Sequence, residues 1–182
     1  MKNSKLLVVV DMQNDFIDGS LGTKEAQSIV PNVIEKIRSW GGDIIVTQDT
    51  HFQNYLDTRE GNRLPIPHCV EGTDGHKINS EVFDALVNKH LDNGNNFSCI
   101  NKLTFGSTAL PELIRGLGYE YIELVGLCTD ICVVSNALLL KANFMEADIA
   151  VDASCCAGVT PETHKAALTT MKMCQIDIIN EE

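Results

Sequence analysis

A cysteine thiol attacks a carbonyl carbon effectively only when one group takes its proton and another holds the charge that develops. Cys132 is placed for such a role. It follows the stretch Glu123-Leu124-Val125-Gly126, apolar after its glutamate, and the segment Leu127-Cys128-Thr129-Asp130-Ile131, and it reads as part of the first turn of a helix. The unpaired N–H groups of a helix start carry partial positive charge, which favours an anionic sulfur and can receive an oxyanion. Thr129 or Asp130 is the candidate N-cap. The competing reading is a buried structural cysteine, because free cysteine is among the most buried residue types.

Four other stretches carry reactive side chains. Asp11 ends the apolar run Leu6-Leu7-Val8-Val9-Val10, Lys102 ends the weaker run Phe97 to Asn101, and Asp49 and His51 follow the run Asp43 to Thr47. His68 and Glu60 lie in the long polar connection beyond them. A carboxylate beside the thiol can take its proton and deliver it to a leaving amine, while a lysine between them steadies both charges. That is nucleophilic acyl transfer with Asp11 as acid and base, Lys102 as charge support and Cys132 as nucleophile. Asp49, His51 and His68 offer one carboxylate and two imidazoles, a set suited to Zn²⁺, Mn²⁺ or Fe²⁺ with open positions left, and Glu60 is a candidate fourth ligand. Loop histidines are also common as plain solvent-exposed residues.

The elements must bring these residues together. The run Leu6 to Val10 is continuous and β-branched, as expected of a strand buried on both faces of a parallel sheet. Val30, Val33, Ile34 and Ile37 fall at helical spacing in the stretch Gln27 to Trp40, with Gly41-Gly42 as the stop. With the strand Asp43 to Thr47 this makes a right-handed βαβ unit. Further helices are expected from Glu81 to about Lys89 behind a Ser80 cap, from Thr108 to Leu117, from Ile131 to about Phe144, and from the capping sequence Thr160-Pro161-Glu162. A turn is expected at Asn93-Gly94-Asn95-Asn96, and further strands at Phe97 to Asn101, Tyr121 to Gly126, Ile149 to Val151 and Ile176 to Ile179. Six strands alternating with helices predict an open, doubly wound, mostly parallel six-stranded sheet with helices on both faces, a Rossmann-like three-layer α/β sandwich. In such sheets ligands bind outside the carboxyl ends of the strands, where Asp11, Asp49, Lys102 and Cys132 all fall.

Composition narrows the function. The 182 residues, 44% of them hydrophobic, suit a single domain spanning 1–182. A formal charge of −11 disfavours a nucleic-acid groove, and neither a G-x-G-x-x-G turn nor a P-loop follows the first strand. The apolar run near the start is too short for a signal core or a membrane span, so a cytoplasmic protein without membrane contact is expected. Seven cysteines without a secretory signal read as free thiols, with Cys155, Cys156 and Cys174 as core or near-core filler. A thiol-redox pair, Cys128 with Cys132, is a further reading, though its C-x-x-x-C spacing departs from the C-x-x-C motif.

Taken together, these motifs resemble the isochorismatase-like cysteine hydrolases, and within them the nicotinamidase (pyrazinamidase) branch. The resemblance spans nearly the whole chain. It rests on Val10-Asp11-Met12-Gln13-Asn14-Asp15-Phe16, Thr47-Gln48-Asp49-Thr50-His51, Pro67-His68-Cys69-Val70-Glu71-Gly72-Thr73, Asn101-Lys102 with Phe105 and Ser107, and Gly126-Leu127-Cys128-Thr129-Asp130-Ile131-Cys132-Val133. It implies hydrolysis of nicotinamide to nicotinic acid and ammonia through a thioester on Cys132, with Asp11 and Lys102 in attendance. It also implies an oxyanion hole from the backbone N–H groups of Cys128 and Cys132, a cis peptide at Leu127-Cys128, and a divalent metal, zinc first, on Asp49, His51 and His68, with Glu60 matched only loosely. A homo-oligomer acting on a small-molecule amide is expected on the same ground. One departure stands out. The family often has a tryptophan just before the proline-histidine-cysteine segment, whereas this chain reads Leu64-Pro65-Ile66-Pro67, leaving Phe16 and Phe105 as aromatic walls for the substrate ring. Another small amide or a ureide is therefore the alternative substrate.

Overall fold

The computed structural model describes residues 4–93 and 97–181. Six strands, β1 (Lys5–Val10), β2 (Asp43–Asp49), β3 (Phe97–Lys102), β4 (Tyr121–Leu127), β5 (Asp148–Ala157) and β6 (Asp177–Ile179), pair in the order β3-β2-β1-β4-β5-β6. Every pairing is parallel, so the mostly parallel sheet expected is parallel throughout. The order reverses at β1, which separates the two halves of the chain and opens a crevice at the carboxyl ends of β1 and β4.

The β1 run is apolar at every position because both its faces are covered. Leu7 and Val9 enter one core with Phe16 of α1 (Asn14–Ile17), Val33 and Ile37 of α2 (Lys24–Ser39) and Leu86 of α3 (Ser80–Asn93). Leu6, Val8 and Val10 enter the other, with Ile114 of α4 (Ala109–Ile114), Leu140 of α5 (Val134–Asn143) and Met171 of α6 (Pro161–Met173). The layers are thus helix, sheet and helix. Among the described residues no helix is long and apolar enough to cross a membrane.

Several boundaries move from their sequence positions. Helix α2 starts at Lys24, where Thr23 accepts from Ala26 N–H, rather than at Gln27. Asn79, not Ser80, caps α3, accepting from the N–H groups of Glu81 and Val82, and the helix runs beyond Lys89 to Asn93. Helix α4 stops at Ile114 rather than Leu117, because Gly116 and Gly118 turn the chain with φ near 77°. β5 extends to Ala157, well past Asp152, because a register shift against β4 lets it resume pairing. Cys155 and Cys156 are buried as expected, but Cys174 is exposed. The turn expected at Asn93-Gly94-Asn95-Asn96 lies, from Gly94 on, outside the described residues.

Candidate active site

Strand ends deliver the reactive groups. Asp11 directly follows β1 in a left-handed conformation with φ 48°, held by a hydrogen bond from its N–H to the Thr47 carbonyl. Its carboxyl group is fully buried. Oδ1 accepts from the Thr47 hydroxyl at 2.7 Å, and Oδ2 lies 2.7 Å from Lys102 Nζ. The Lys102 ammonium, at the end of β3, also donates to Asp49 Oδ1 at 3.1 Å and the Thr104 carbonyl at 3.2 Å, and stands 3.4 Å from Cys132 Sγ. One buried cation therefore joins Asp11, Asp49 and Cys132.

The segment bearing Cys132 is not a regular helix start with a side-chain cap. Residues Thr129–Val133 form a π turn before α5, and Cys128 precedes it without a side-chain cap bond. Neither proposed cap does that job. The Thr129 hydroxyl bonds His164 Nδ1 at 2.8 Å, and the Asp130 carboxylate accepts from Val159 N–H, so both residues tie the turn to the start of α6. The Leu127-Cys128 peptide is cis, as the family resemblance implied. At Gly126, where φ is +117°, a Cβ would lie 2.1 Å from the Val10 carbonyl oxygen, so only glycine lets β4 approach β1 at the site.

The thiolate expected at a helix start is also not favoured at Cys132. Burial, followed by the charge of Asp11, pushes the Cys132 thiol well above its ordinary range, and Lys102 opposes them only in part. The buried setting therefore favours the thiol over the thiolate. Burial likewise raises the Asp11 carboxyl, against the pull of Lys102. Burial works against the Lys102 ammonium too, but the carboxylates of Asp11 and Asp49 hold it charged above the usual lysine range. The Cys128 thiol is pushed up to about 12 by burial and then by Asp130, which disfavours a dithiol exchange role.

Beside the thiol, Asp49, His51 and His68 present ligand atoms all within 4.8 Å of one another. Asp49 Oδ2 lies 3.0 Å from His51 Nε2 and 3.6 Å from His68 Nε2. Burial would raise the Asp49 carboxyl, but the two imidazoles and Lys102 hold it well below the usual carboxylate range. His51 Nε2 is buried and makes no hydrogen bond. His68 Nδ1 faces the Ile66 carbonyl at 2.9 Å, which leaves its Nε2 directed inward. An orphaned buried nitrogen facing a carboxylate and a second imidazole fits a divalent cation in chemistry. Glu60 Oε1 stands farther off, at 3.5 and 3.9 Å from the two Nε2 atoms, on the rim of the set.

Phe16, buried and 5.6 Å from the His68 ring, and Phe105, 42% exposed, both line a cavity of about 50 Å³ that also contains Asp49, Cys128 and Cys132. Sequence reasoning missed the residues that hold this arrangement. Gln13 donates to the Asp49 carbonyl and accepts from the Asp49 N–H, while Asp15 accepts from Cys69 N–H next to His68. Gly75 packs so tightly on the Asp15 carboxylate that a Cβ there would fall 2.0 Å from it. A signal was present: polar Gln13 and Asp15 directly follow a buried strand.

Comparison with known proteins returns a consistent set. The family model described as the isochorismatase domain matches residues 5–182. The nicotinamidase/pyrazinamidase of Mycobacterium tuberculosis is 25% identical over 96% of this chain and 98% of its own length. An Arabidopsis thaliana protein named "Probable inactive nicotinamidase" is 30% identical over 91% of this chain and 87% of its own. The crystal structure of the pyrazinamidase of Pyrococcus horikoshii in complex with zinc superposes with a TM-score of 0.78, at 28% identity, over 98% of this chain and 99% of that one.

Proposed function

The chain belongs to the isochorismatase family, and from that premise we propose that it is an amidohydrolase converting nicotinamide to nicotinic acid and ammonia. The observation that carries this reading is the position of Lys102 Nζ, 2.7 Å from the Asp11 carboxylate and 3.4 Å from the Cys132 sulfur. One relative carries a name marking it as inactive, so family membership alone does not establish activity. The triad in this chain supports it.

The resting thiol and the buried carboxylate define the order of events. As Cys132 Sγ bonds to the carboxamide carbon, its proton passes to Asp11, and the carbonyl oxygen becomes an oxyanion facing the N–H groups of Cys128 and Cys132. Asp11 then gives the proton to the amide nitrogen, the C–N bond breaks, and ammonia leaves a thioester on Cys132. Water attacks that thioester as Asp11 takes a proton from it. The C–S bond breaks, and the proton returns to the sulfur. Lys102 stays cationic throughout and offsets the negative charge as it moves between Asp11 and Cys132. Phe16 and Phe105 flank the ring. Asp49, His51 and His68 would hold a divalent cation, zinc in our reading, with Glu60 at the rim. When bound, the cation supplies a Lewis-acid site for an aromatic ring nitrogen.

The test is ammonia release from nicotinamide by the metal-supplemented protein. Cys132→Ala is expected to lower turnover at least 10⁴-fold, as removing a nucleophile typically does. Turnover in that variant close to the parent's would overturn the mechanism. A second reading, another small amide or ureide, draws on Leu64 in the cavity wall, in a chain with no tryptophan in the stretch Leu64-Pro65-Ile66-Pro67 before His68. A screen of small amides separates the two.

A further inference from the structure

The cavity that holds Cys132 does not end at the ring. It shares Glu60, Leu64, Phe105 and Ile131 with an outer chamber of about 390 Å³, several times its own volume. The outer chamber adds two residues to these, Arg59 and Arg63. They are two of the four arginines in a chain with 25 acidic and 14 basic residues. The backbone between them winds in consecutive helical turns, with Asn62 N–H bonded to Thr58 O and Leu64 N–H to Glu60 O, so side chains four apart project to one side. Among the described residues neither guanidinium has an ion-pair partner. Like charges at this spacing repel, and an arginine fork matches a carboxylate or phosphate in two-point geometry. Nicotinamide is neutral and would leave both arginines and most of the outer chamber unused.

Resting on the amidohydrolase reading above, we infer that the preferred substrate is a carboxamide carrying an anionic group, a carboxylate or phosphate, which Arg59 and Arg63 receive in the outer chamber while Cys132 holds the amide. Phe105, Leu64, Ile131 and Glu60 line both chambers. The apolar side chains of Phe105, Leu64 and Ile131 suit a planar ring, with Glu60 beside them, and the arginines line only the outer chamber.

The experiment compares nicotinamide with 5-carbamoylnicotinate, the same ring with an added carboxylate. It measures kcat/KM for each with the metal-loaded protein and with the Arg59→Gln/Arg63→Gln variant, at low and high salt. In parallel, calorimetry measures binding of the two compounds to Cys132→Ala with and without the arginine substitutions. The expected result is at least a tenfold preference for the acidic amide, carried by KM, weakened by salt and lost in the arginine variant, with the same preference in binding. A preference below twofold, or one the arginine variant keeps, overturns the inference. If neither amide is hydrolysed but the arginine-dependent binding preference persists, the anion site stands and the amidohydrolase reading falls. If nicotinamide is hydrolysed without any binding preference, the reverse holds. Inorganic phosphate supplies the last arm. If it binds at the arginines while the two amides bind alike, the site serves a free anion and the substrate assignment is wrong.

Discussion

Lys102 is the residue on which the site turns. Its ammonium lies between two buried carboxylates, and removing it would leave Asp11 and Asp49 facing each other without a cation. Breaking a buried ion pair from one side costs about 3 to 5 kcal/mol, so Lys102→Met should unfold at markedly lower denaturant concentration as well as lose turnover. Chemical denaturation followed by circular dichroism measures the first effect, and ammonia release the second. Asp49 has a double duty, as it accepts from Lys102 and faces both imidazoles. Asp49→Asn should lower the zinc retained after dialysis at least tenfold, read by metal analysis, because an amide is a far weaker ligand than a carboxylate. Unchanged metal content in that variant would remove the aspartate from the ligand set.

At the scale of elements, two junctions matter. The π turn Thr129–Val133 is tied from behind by Thr129 to His164 and by Asp130 to Val159, so α6 positions the turn that bears the nucleophile. On the opposite face, Lys36 of α2 reaches across to Glu123 on β4 and Asp152 on β5, at 2.7 Å from each. Both carboxylates are nearly inaccessible, with 4% and 1% side-chain exposure. Burial would raise Asp152, but Lys36, Ser154 and Asn180 hold it below the usual carboxylate range; Lys36, despite burial, is held above its own by Asp152 and Glu123. A carboxyl group depressed on folding stabilises the fold above its unfolded pKa, and that contribution fades as pH falls through the folded value. For a raised lysine the contribution is present below the unfolded pKa and fades as pH rises through the folded one. The network should therefore stabilise from about pH 4 to about pH 10. Lys36→Met is expected to cost about 2 to 4 kcal/mol at pH 7, with the difference shrinking below pH 4. Urea unfolding across that pH range tests it, and a pH-independent difference would mean the loss is one of packing alone.

For the molecule as a whole, stability rests on two cores divided by one sheet. Leu124, fully buried near the middle of β4, belongs to the core beneath α4, α5 and α6. Leu124→Ala should cost about 2 to 5 kcal/mol in thermal or denaturant unfolding, whereas Leu91→Ala, at a leucine 71% exposed, should change it by less than about 0.5 kcal/mol. Much of this architecture was legible in the chain. The continuous apolar run of β1, the largely apolar β4 and the helical spacing in α2 are local patterns, set by side chains that must be buried on both faces or on one. The placement of Asp11, Asp49, Lys102 and Cys132 at strand ends followed from the same patterns, whereas the grouping of Asp49, His51 and His68 rested on their residue types in one loop and on the family resemblance. Helix and strand ends were less legible, since Asn79, the left-handed Gly116 and the register shift in β5 depend on backbone detail that hydrophobic periodicity does not encode. What only the tertiary structure decided is contact between residues far apart in sequence. The register of β3 on β2 sets Lys102 beside Asp49, and the packing of α6 brings His164 under Thr129. The balance between thiol and thiolate at Cys132 is set at that level too. A helix start favours thiolate, but the burial and neighbouring carboxylate that overrule it exist only once the chain has folded.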